Sequence, residues 1–120
     1  MSEAQSTVDE TERTANDLTA FQQHILTVLA EEPRYGLAIK RELQDYYGNE
    51  VNHGRLYPNL DDLVEHDLIA KSERDKRTNE YELTDEGYDL LLGELNWEFS
   101  KIVTSDKRAT DIDRLIDDAV

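Results

Sequence analysis

The middle of the chain carries a short run of polar side chains that could read the edges of DNA bases. Asn52, His53 and Arg55 fall within four residues, and Asn59 follows four residues after Arg55. Asn and Arg have the donor and acceptor patterns that match adenine and guanine edges in the major groove. The same residues are also compatible with an ordinary solvated helix face that carries one arginine. These four side chains are therefore candidates for base contacts.

A second group of candidates is basic and comes later in the chain. Lys71, Arg74, Lys76 and Arg77 fall within seven residues and are offset by two acidic residues, for a local charge of +2. The polar stretch around them is typical of the loop of a β-hairpin. Such a hairpin could contact DNA phosphates or the minor groove. The alternative is a solvated turn without a partner.

A third set of candidate side chains comes before Asn52, His53 and Arg55 in the sequence. Tyr35 and Lys40 are candidates for contacts with the DNA backbone, together with Arg34 and Arg41. The basic residues belong to the start of a second helix or the segment just before it. They could equally be ordinary helix-surface charges.

The charge of the chain is unevenly distributed. Its 120 residues carry 28 Asp and Glu against 13 Lys and Arg, for a formal net charge of −15. From Arg34 to Arg77 eight basic residues face nine acidic ones, so that this segment nets −1 and the remaining −14 lies outside it. Such acidity favours solubility in general. It also suits a high-salt cytoplasm, because at about 1 M salt the Debye length is ~3 Å and distant carboxylates hardly repel DNA.

The composition excludes several classes of protein. The chain contains no cysteine, which rules out disulfides, thiolate metal sites and thiol-based redox sensing. The three histidines are scattered and no catalytic or phosphate-binding motif occurs, so we expect no metal, no cofactor and no enzymatic activity. No apolar run approaches the roughly 18 residues that cross a bilayer. No signal pattern opens the chain, and we therefore expect a cytoplasmic protein without membrane contact.

Apolar spacing and capping residues predict the elements that position these candidates. We expect a first helix capped by Thr19 and ended by Pro33, and a second from about Gly36 to Tyr47 stopped by Gly48. Tyr46 or Tyr47 is expected to be buried on the second helix.

The third helix would present the reading residues. Asn52 is its expected N-cap. Its apolar stripe at i, i+4, i+7 and i+8 consists of Leu56, Leu60, Leu63 and Val64. The residues that this stripe turns outward are Gly54, Arg55, Pro58 and Asp62. Pro58 is an anomaly, because proline removes a hydrogen bond inside a helix and its ring strains the backbone.

The remaining sequence predicts a hairpin and two further helices. Strands are expected over residues 68–72 and 80–84, followed by a long helix capped by Thr84. The apolar stripe of that helix comprises Tyr88, Leu91, Leu92, Leu95, Phe99 and Ile102, with Leu90 and Trp97 off the stripe. Residues 104–110 are expected to form a linker before a short final helix.

These elements predict a fold that is mainly α with a small β-hairpin, an α+β class. Helix, turn, helix and two-stranded wing follow one another as in a winged helix-turn-helix. Three segments are expected: a flexible acidic tail over residues 1–17, a DNA-binding domain over 18–87, and C-terminal helices for dimerisation over 88–120.

The C-terminal helices carry more apolar side chains than one small three-helix core can bury. We therefore expect a homodimer, with packing on the monomer's own core as the alternative. The expected interface residues are Leu92, Leu95, Trp97, Phe99, Ile102, Leu115 and Ile116. A two-fold dimer would place two reading helices about one DNA turn apart, ~34 Å, on a pseudo-palindromic site.

Several short segments together are similar to those of a known family. They are the run Leu26 to Leu29, Tyr35-Gly36, Gly54-Arg55-Leu56-Tyr57-Pro58, Leu60, Leu63, Leu68-Ile69, Tyr81-Glu82-Leu83-Thr84 and Glu86-Gly87. Over roughly residues 18–103 the chain resembles the PadR-like transcriptional regulators. Its acidic background makes it most similar to a haloarchaeal member linked to the response to reactive oxygen species.

The resemblance implies a homodimeric winged-helix regulator that occupies promoter DNA and controls oxidant-responsive genes. It also implies a proline in the reading helix, where Pro58 stands. The chain is short after Thr104, so the aromatic drug-binding pocket of some members is not assumed, and any small-molecule effector is unknown. Without cysteine, an oxidant response must be indirect or use other chemistry. Two alternatives stay open: a winged helix that contacts proteins without binding DNA, and a repressor that senses a metal or small molecule.

Overall fold

The computed structural model describes residues 17–75 and 78–120, and within them the chain forms five helices and three strands. The helices are α1 (Ala20–Glu31), α2 (Gly36–Tyr47), α3 (His53–Glu65), α4 (Asp85–Ile102) and α5 (Asp106–Ala119). The strands are β1 (Arg34–Tyr35), β2 (Ile69–Glu73) and β3 (Asn79–Leu83). Residues 1–16 of the predicted acidic tail, and Lys76 and Arg77 of the predicted wing, lie outside the described residues. No helix of the described chain is long and apolar enough to cross a membrane.

The sheet has the strand order β1-β3-β2, and both pairs are antiparallel. Ile69 lies opposite Leu83, and Arg34 lies opposite Tyr81. The predicted hairpin is confirmed, although the observed strands are displaced by one residue from the predicted ones. Strand β1 was not predicted, because two residues are too few to show the alternation by which a strand is recognised.

Four predicted helix boundaries are confirmed by the capping groups. The Thr19 hydroxyl accepts a hydrogen bond from the Gln22 backbone N–H at 3.1 Å, and the Thr84 hydroxyl accepts one from Gly87 at 3.0 Å. The Asn52 side chain accepts from the Gly54 N–H at the start of α3. Gly48 ends α2 in the left-handed conformation with φ +77°. These bonds satisfy backbone groups that have no partner within the helix.

The predicted linker over residues 104–110 is wrong. Helix α5 begins at Asp106 and runs for 14 residues, so the final helix is also longer than expected. The Ser105 hydroxyl caps it by accepting a hydrogen bond from the Arg108 N–H at 3.2 Å. Asp106 in its first turn complements the positive end of the helix dipole. Serine followed by aspartate starts a helix here, although the same polar residues are common in linkers.

Helix α3 continues through Pro58, which is exposed. Proline has no N–H, so the carbonyl of Gly54, four residues earlier, receives no helical hydrogen bond from this position. Gly54 is exposed as well. Water can therefore solvate the carbonyl, and the helix tolerates a proline near its N-terminal end.

The core lies where α1, α2 and α3 meet the sheet and the first part of α4. Its buried members include Ile25, Leu26, Ile39, Leu43, Leu56, Leu60, Leu63, Ile69 and Tyr81. Leu90, which is predicted to lie off the stripe of α4, is buried in the core, and the stripe residue Leu91 packs against the core partly buried. Tyr47 is half-buried against the core, whereas Tyr46 is 71% exposed. The core therefore contacts α4 through Leu90 and the Leu91 edge of the predicted stripe, while Leu92 and Leu95 are exposed.

Candidate nucleic-acid interface

The N-terminal part of α3 is exposed and presents three of the predicted reading residues together. Asn52, His53 and Arg55 are all exposed at the start of the helix. The imidazole of His53 stacks on the Tyr57 ring with the ring centres 5.4 Å apart. The buried Leu56 holds this turn on the core. The first turn of α3 therefore projects polar side chains from a fixed backbone.

Arg55 leans against the first helix. Its guanidinium carbon lies 3.9 Å from the centre of the Phe21 ring, which is itself 3% exposed. An arginine over an aromatic face is held by a cation–π attraction while its N–H groups stay at the surface. The sequence pattern did not indicate this role for Phe21, because its spacing is that of an ordinary core residue.

Asn59 and Asp62 point toward α1. The Gln22 Nε2 donates hydrogen bonds to the Asn59 Oδ1 at 3.0 Å and to the Asp62 Oδ2 at 2.9 Å. The Asn59 Nδ2 donates to the Arg55 carbonyl at 2.7 Å. The expectation that Asp62 faces outward is therefore wrong, because the buried amide of Gln22 attracts its carboxylate. The Asn59 amide is likewise used within the protein, which makes it a weaker candidate for a base contact.

Gln22 was missed by the sequence analysis, although a signal was present. A threonine N-cap followed three residues later by glutamine is the pattern of a capping box. The Gln22 Oε1 accepts a hydrogen bond from the Thr19 N–H at 3.4 Å and completes that box. Its second function, the link to α3, depends on residues about forty positions away and has no local signal.

The candidates before and within α2 differ in their surroundings. Tyr35 is 45% exposed, and Lys40 is half-buried. Arg34 pairs with Glu31, with Glu32 at 3.4 Å and with Glu42 at 3.8 Å, while its side chain is 13% exposed. A guanidinium held by three carboxylates is poorly placed to contact phosphate. We therefore regard Arg34 as a structural link between α1, β1 and α2.

The hairpin places Lys71 and Arg74 at the surface. The Arg74 Nε donates to the Glu80 Oε1 at 3.0 Å across the wing, and this hydrogen bond raises the pKa of the guanidinium. The positive charge of Arg74 is thus partly neutralised by a carboxylate. Of the four basic wing candidates, Lys76 and Arg77 are outside the described residues.

The predicted interface residues of the C-terminal helices are mostly uncovered. Leu92 and Leu95 are each 45% exposed and Trp97 is 57% exposed, whereas Phe99 is half-buried. The others, Ile102, Leu115 and Ile116, are also exposed. Helix α5 buries none of its residues. The described part of the molecule thus leaves an apolar surface along α4 and α5 without cover from its own core.

No group of three or more His, Asp or Glu side chains in residues 17–75 and 78–120 is arranged to hold a metal ion. The described histidines make other contacts. The His24 Nδ1 lies 2.7 Å from the Tyr47 hydroxyl, and the His66 Nδ1 lies 2.9 Å from the Asp62 carbonyl.

Known proteins match both the sequence and the fold. The transcriptional regulator PadR-like family matches residues 25–92, more than half of the chain. RosR of H. salinarum, in crystals grown from NaBr, is 62% identical over 88% of this chain and 96% of that one, with a TM-score of 0.85. A complex structure of hsRosR, RosR-S4, is 59% identical over 92% of this chain and 96% of that one, with a TM-score of 0.87.

A more distant solved structure extends the likeness to bacteria. The PadR family transcriptional regulator of Eggerthella lenta is 27% identical over 68% of this chain and 82% of that one, with a TM-score of 0.52. No curated protein matches the chain. The predicted winged-helix fold and the prediction of a DNA-binding regulator without enzymatic activity are confirmed by these matches. The chain belongs to the PadR-like family of transcriptional regulators.

Proposed function

We propose that the protein regulates promoters by placing the first turn of α3 in the major groove. The observation that carries this proposal is the joint exposure of Asn52, His53 and Arg55 on one rigid helical turn. Reading helices of helix-turn-helix proteins contact bases with their N-terminal residues. Arg55 would read guanine, since its guanidinium matches that base edge. Asn52, whose Oδ1 caps α3, would donate to a base acceptor through its Nδ2.

The wing would contact the DNA backbone beside this groove. Lys71 and Arg74 are exposed on the hairpin, and the basic residues Lys76 and Arg77 follow Arg74 in the sequence. Tyr35 and Lys40 would lie near the same backbone. Contacts to phosphate fix the position of the protein on DNA and carry no sequence information directly.

We also propose a homodimer formed through α4 and α5. The exposed apolar residues Leu92, Leu95 and Trp97 support this, because contiguous apolar surface on a soluble chain marks an interaction site. A helix such as α5, with no buried residue, needs a partner surface to be held in place. Two copies would present two reading helices to a site with two-fold symmetry.

The acidity of the chain supports a role in a high-salt cytoplasm. A net charge of −15 is unfavourable for DNA binding at low ionic strength and is largely screened at molar salt. The high identity to RosR of H. salinarum supports the same setting. Control of oxidant-responsive promoters is proposed from the resemblance of the sequence to the haloarchaeal family member. At molar salt counterion release contributes little, so affinity should depend mainly on base contacts, DNA shape and bridging water.

Genome-wide occupancy of the tagged protein in its native cells, with and without oxidant, tests the function and supplies the operator. Discrete promoter peaks that share a two-fold motif are expected. Peaks that disappear or move on oxidant treatment would connect the protein to that signal. An absence of peaks under both conditions would contradict promoter occupancy.

The reading surface is then tested on the operator by fluorescence anisotropy. Arg55→Lys keeps the charge but removes the bidentate fork, so we expect a loss of about 1–3 kcal/mol on the operator and little change on unrelated DNA. The joint replacement of Arg74, Lys76 and Arg77 by Ala should weaken binding to the operator and to unrelated DNA by the same factor. Unchanged binding in both variants would remove these residues from the interface. A steep loss of wild-type binding toward molar KCl would contradict the high-salt proposal.

A further inference from the structure

The first turn of α1 contacts α3 at three places. Phe21 lies under the Arg55 guanidinium, and Gln22 binds Asn59 and Asp62. These contacts are made by two neighbouring residues of α1. Helix α1, which precedes the helix-turn-helix in sequence, therefore contacts Arg55 in the turn that would enter the major groove and two residues that follow that turn.

Gln22 is unusual for its burial. It is 5% exposed, and among the described residues it is the polar side chain found in the core. A buried amide is unfavourable unless its donors and acceptor are bonded. Both hydrogens of Nε2 are accounted for by Asn59 and Asp62, and Oε1 accepts from the Thr19 N–H. The capping box fixes which end of the amide faces α3, because only the oxygen can accept from Thr19.

The bond to Asn59 reaches the reading residue itself. While the Asn59 Oδ1 accepts from Gln22, its Nδ2 donates to the Arg55 carbonyl at 2.7 Å. This carbonyl belongs to the residue whose guanidinium rests on Phe21. Backbone and side chain of Arg55 are thus both connected to the first turn of α1.

We infer that Gln22 is a positioning residue for DNA reading, which fixes where Arg55 emerges from α3 through its hydrogen bonds to Asn59 and Asp62. Gln22 itself would not touch DNA, since it is buried. The inference rests on the proposed reading role of Arg55. A displacement of about 1 Å in a side chain that must form two parallel hydrogen bonds with a guanine removes much of their specificity.

Gln22→Glu tests the inference with an isosteric change. The carboxylate keeps an oxygen that accepts from Thr19, but it replaces the donating Nε2 by an oxygen that faces the Asp62 carboxylate and the Asn59 Oδ1. We expect a roughly tenfold loss of operator affinity and a smaller loss on unrelated DNA, which lowers the specificity ratio. Gln44→Glu is the matched control, because it adds the same charge and keeps the oxygen that accepts from the Val51 N–H at 3.0 Å.

The double variant Gln22→Glu with Asp62→Asn reverses donor and acceptor and has the net charge of the wild type. The amide introduced at position 62 can donate to the carboxylate at position 22, whereas the bond to the Asn59 Oδ1 is not restored, so we expect part of the operator affinity to return. Recovery in the double variant, with Gln44→Glu within about twofold of wild type, would support positioning through this pair. A loss in Gln44→Glu equal to that in Gln22→Glu would show a general charge effect and overturn the inference.

A measurement on the wild-type protein covers the case in which Gln22→Glu does not fold. In ¹⁵N-resolved NMR spectra the side-chain NH₂ protons of Gln22 should exchange slowly, because both are bonded in a buried site. Exchange as fast as that of an exposed glutamine would contradict the inference. Arg55→Lys separates the reading role of Arg55 from the positioning role of Gln22. If Arg55→Lys loses operator affinity and a folded Gln22→Glu variant keeps it, only the positioning role is overturned. Operator affinity kept in Arg55→Lys overturns the reading role on which it rests.

Discussion

The Tyr57 side chain fills the space where a side chain of Gly36 would lie, at the junction of α2 and α3. A Cβ atom on Gly36 would be 2.4 Å from the Tyr57 hydroxyl oxygen. Tyr57 is half-buried, and its ring also stacks with His53. Two short sequence motifs, Tyr35-Gly36 and Gly54-Arg55-Leu56-Tyr57-Pro58, therefore meet in one contact. The missing side chain of Gly36 lets α3 approach α2 closely.

Gly36→Ala should lower the free energy of unfolding by about 1–3 kcal/mol, because the Tyr57 ring must move to admit the methyl group. Tyr57→Phe removes the closest atom but leaves two ring carbons 2.9 and 3.0 Å from the added Cβ atom. The double variant Gly36→Ala with Tyr57→Phe should therefore recover only part of the lost stability. Urea unfolding of the four proteins measures the coupling. Additive effects would show that the two residues do not contact in solution.

Gly87 fits against the hairpin even more closely. A Cβ there would lie 2.2 Å from the Leu68 carbonyl oxygen and 2.7 Å from the Leu83 Cδ1. Since the backbone cannot yield as a side chain does, we expect Gly87→Ala to cost about 3 kcal/mol or more. Gly93→Ala on the same helix is the control, because an added Cβ atom there has no neighbour within 4 Å. The higher helix propensity of alanine should stabilise the folded protein by up to about 1 kcal/mol. Equal melting temperatures in the two variants would contradict this packing.

In the proposed complex Glu80 would compete with DNA phosphate for Arg74, because its carboxylate already binds the guanidinium. Glu80→Gln should release the Arg74 guanidinium from a charged partner and so strengthen DNA binding. The fall of the logarithm of the binding constant with the logarithm of the salt concentration should become steeper by up to about 0.9, the value of one phosphate contact. Glu82→Gln removes the same charge from an exposed position two residues away, without a hydrogen bond to Arg74. Anisotropy titrations at several KCl concentrations compare them. A larger gain in Glu82→Gln would contradict the role of the pair.

The proposed dimer depends on the exposed face of α4. Leu95→Glu places a charge on an apolar face in each copy, and we expect it to yield monomers in light scattering. Ser100→Glu adds the same charge at an exposed position on another side of α4 and should leave the dimer intact. The fluorescence of the single tryptophan, Trp97, should shift to longer wavelength in Leu95→Glu as its ring loses cover. A wild-type protein of one-chain mass would contradict the dimer directly.

Tyr81 makes stability sensitive to alkaline pH. Its ring is 2% exposed, and burial together with the nearby charge of Asp61 raises the pKa of its hydroxyl above the usual value near 10. The folded state therefore disfavours the phenolate, so the contribution of this group is constant below pH 10 and is lost as the pH rises above it. Tyr81→Phe should flatten the fall in the free energy of unfolding between about pH 10 and 12. The exposed Tyr88→Phe is the control, and identical slopes in both variants would contradict the assignment.

The sequence by itself determined the order of helices and wing. Apolar residues at helical spacing and local capping groups such as Thr19, Asn52 and Thr84 act over a few positions, so their patterns are visible in the chain. The family motifs were visible for the same reason. Sequence also located the exposed turn from Asn52 to Arg55, because a stripe of leucines defines the opposite face of α3.

Only the tertiary structure decided which side chains are free to act. Gln22 binds residues 37 and 40 positions away, and Arg34 is surrounded by three carboxylates from two other parts of the chain. Leu90 enters the core, whereas Leu92 and Leu95 on the same helix are exposed. Such partners come together only when the chain folds, since hydrogen bonds and ion pairs depend on distance in space. No residue spacing along the chain encodes that distance.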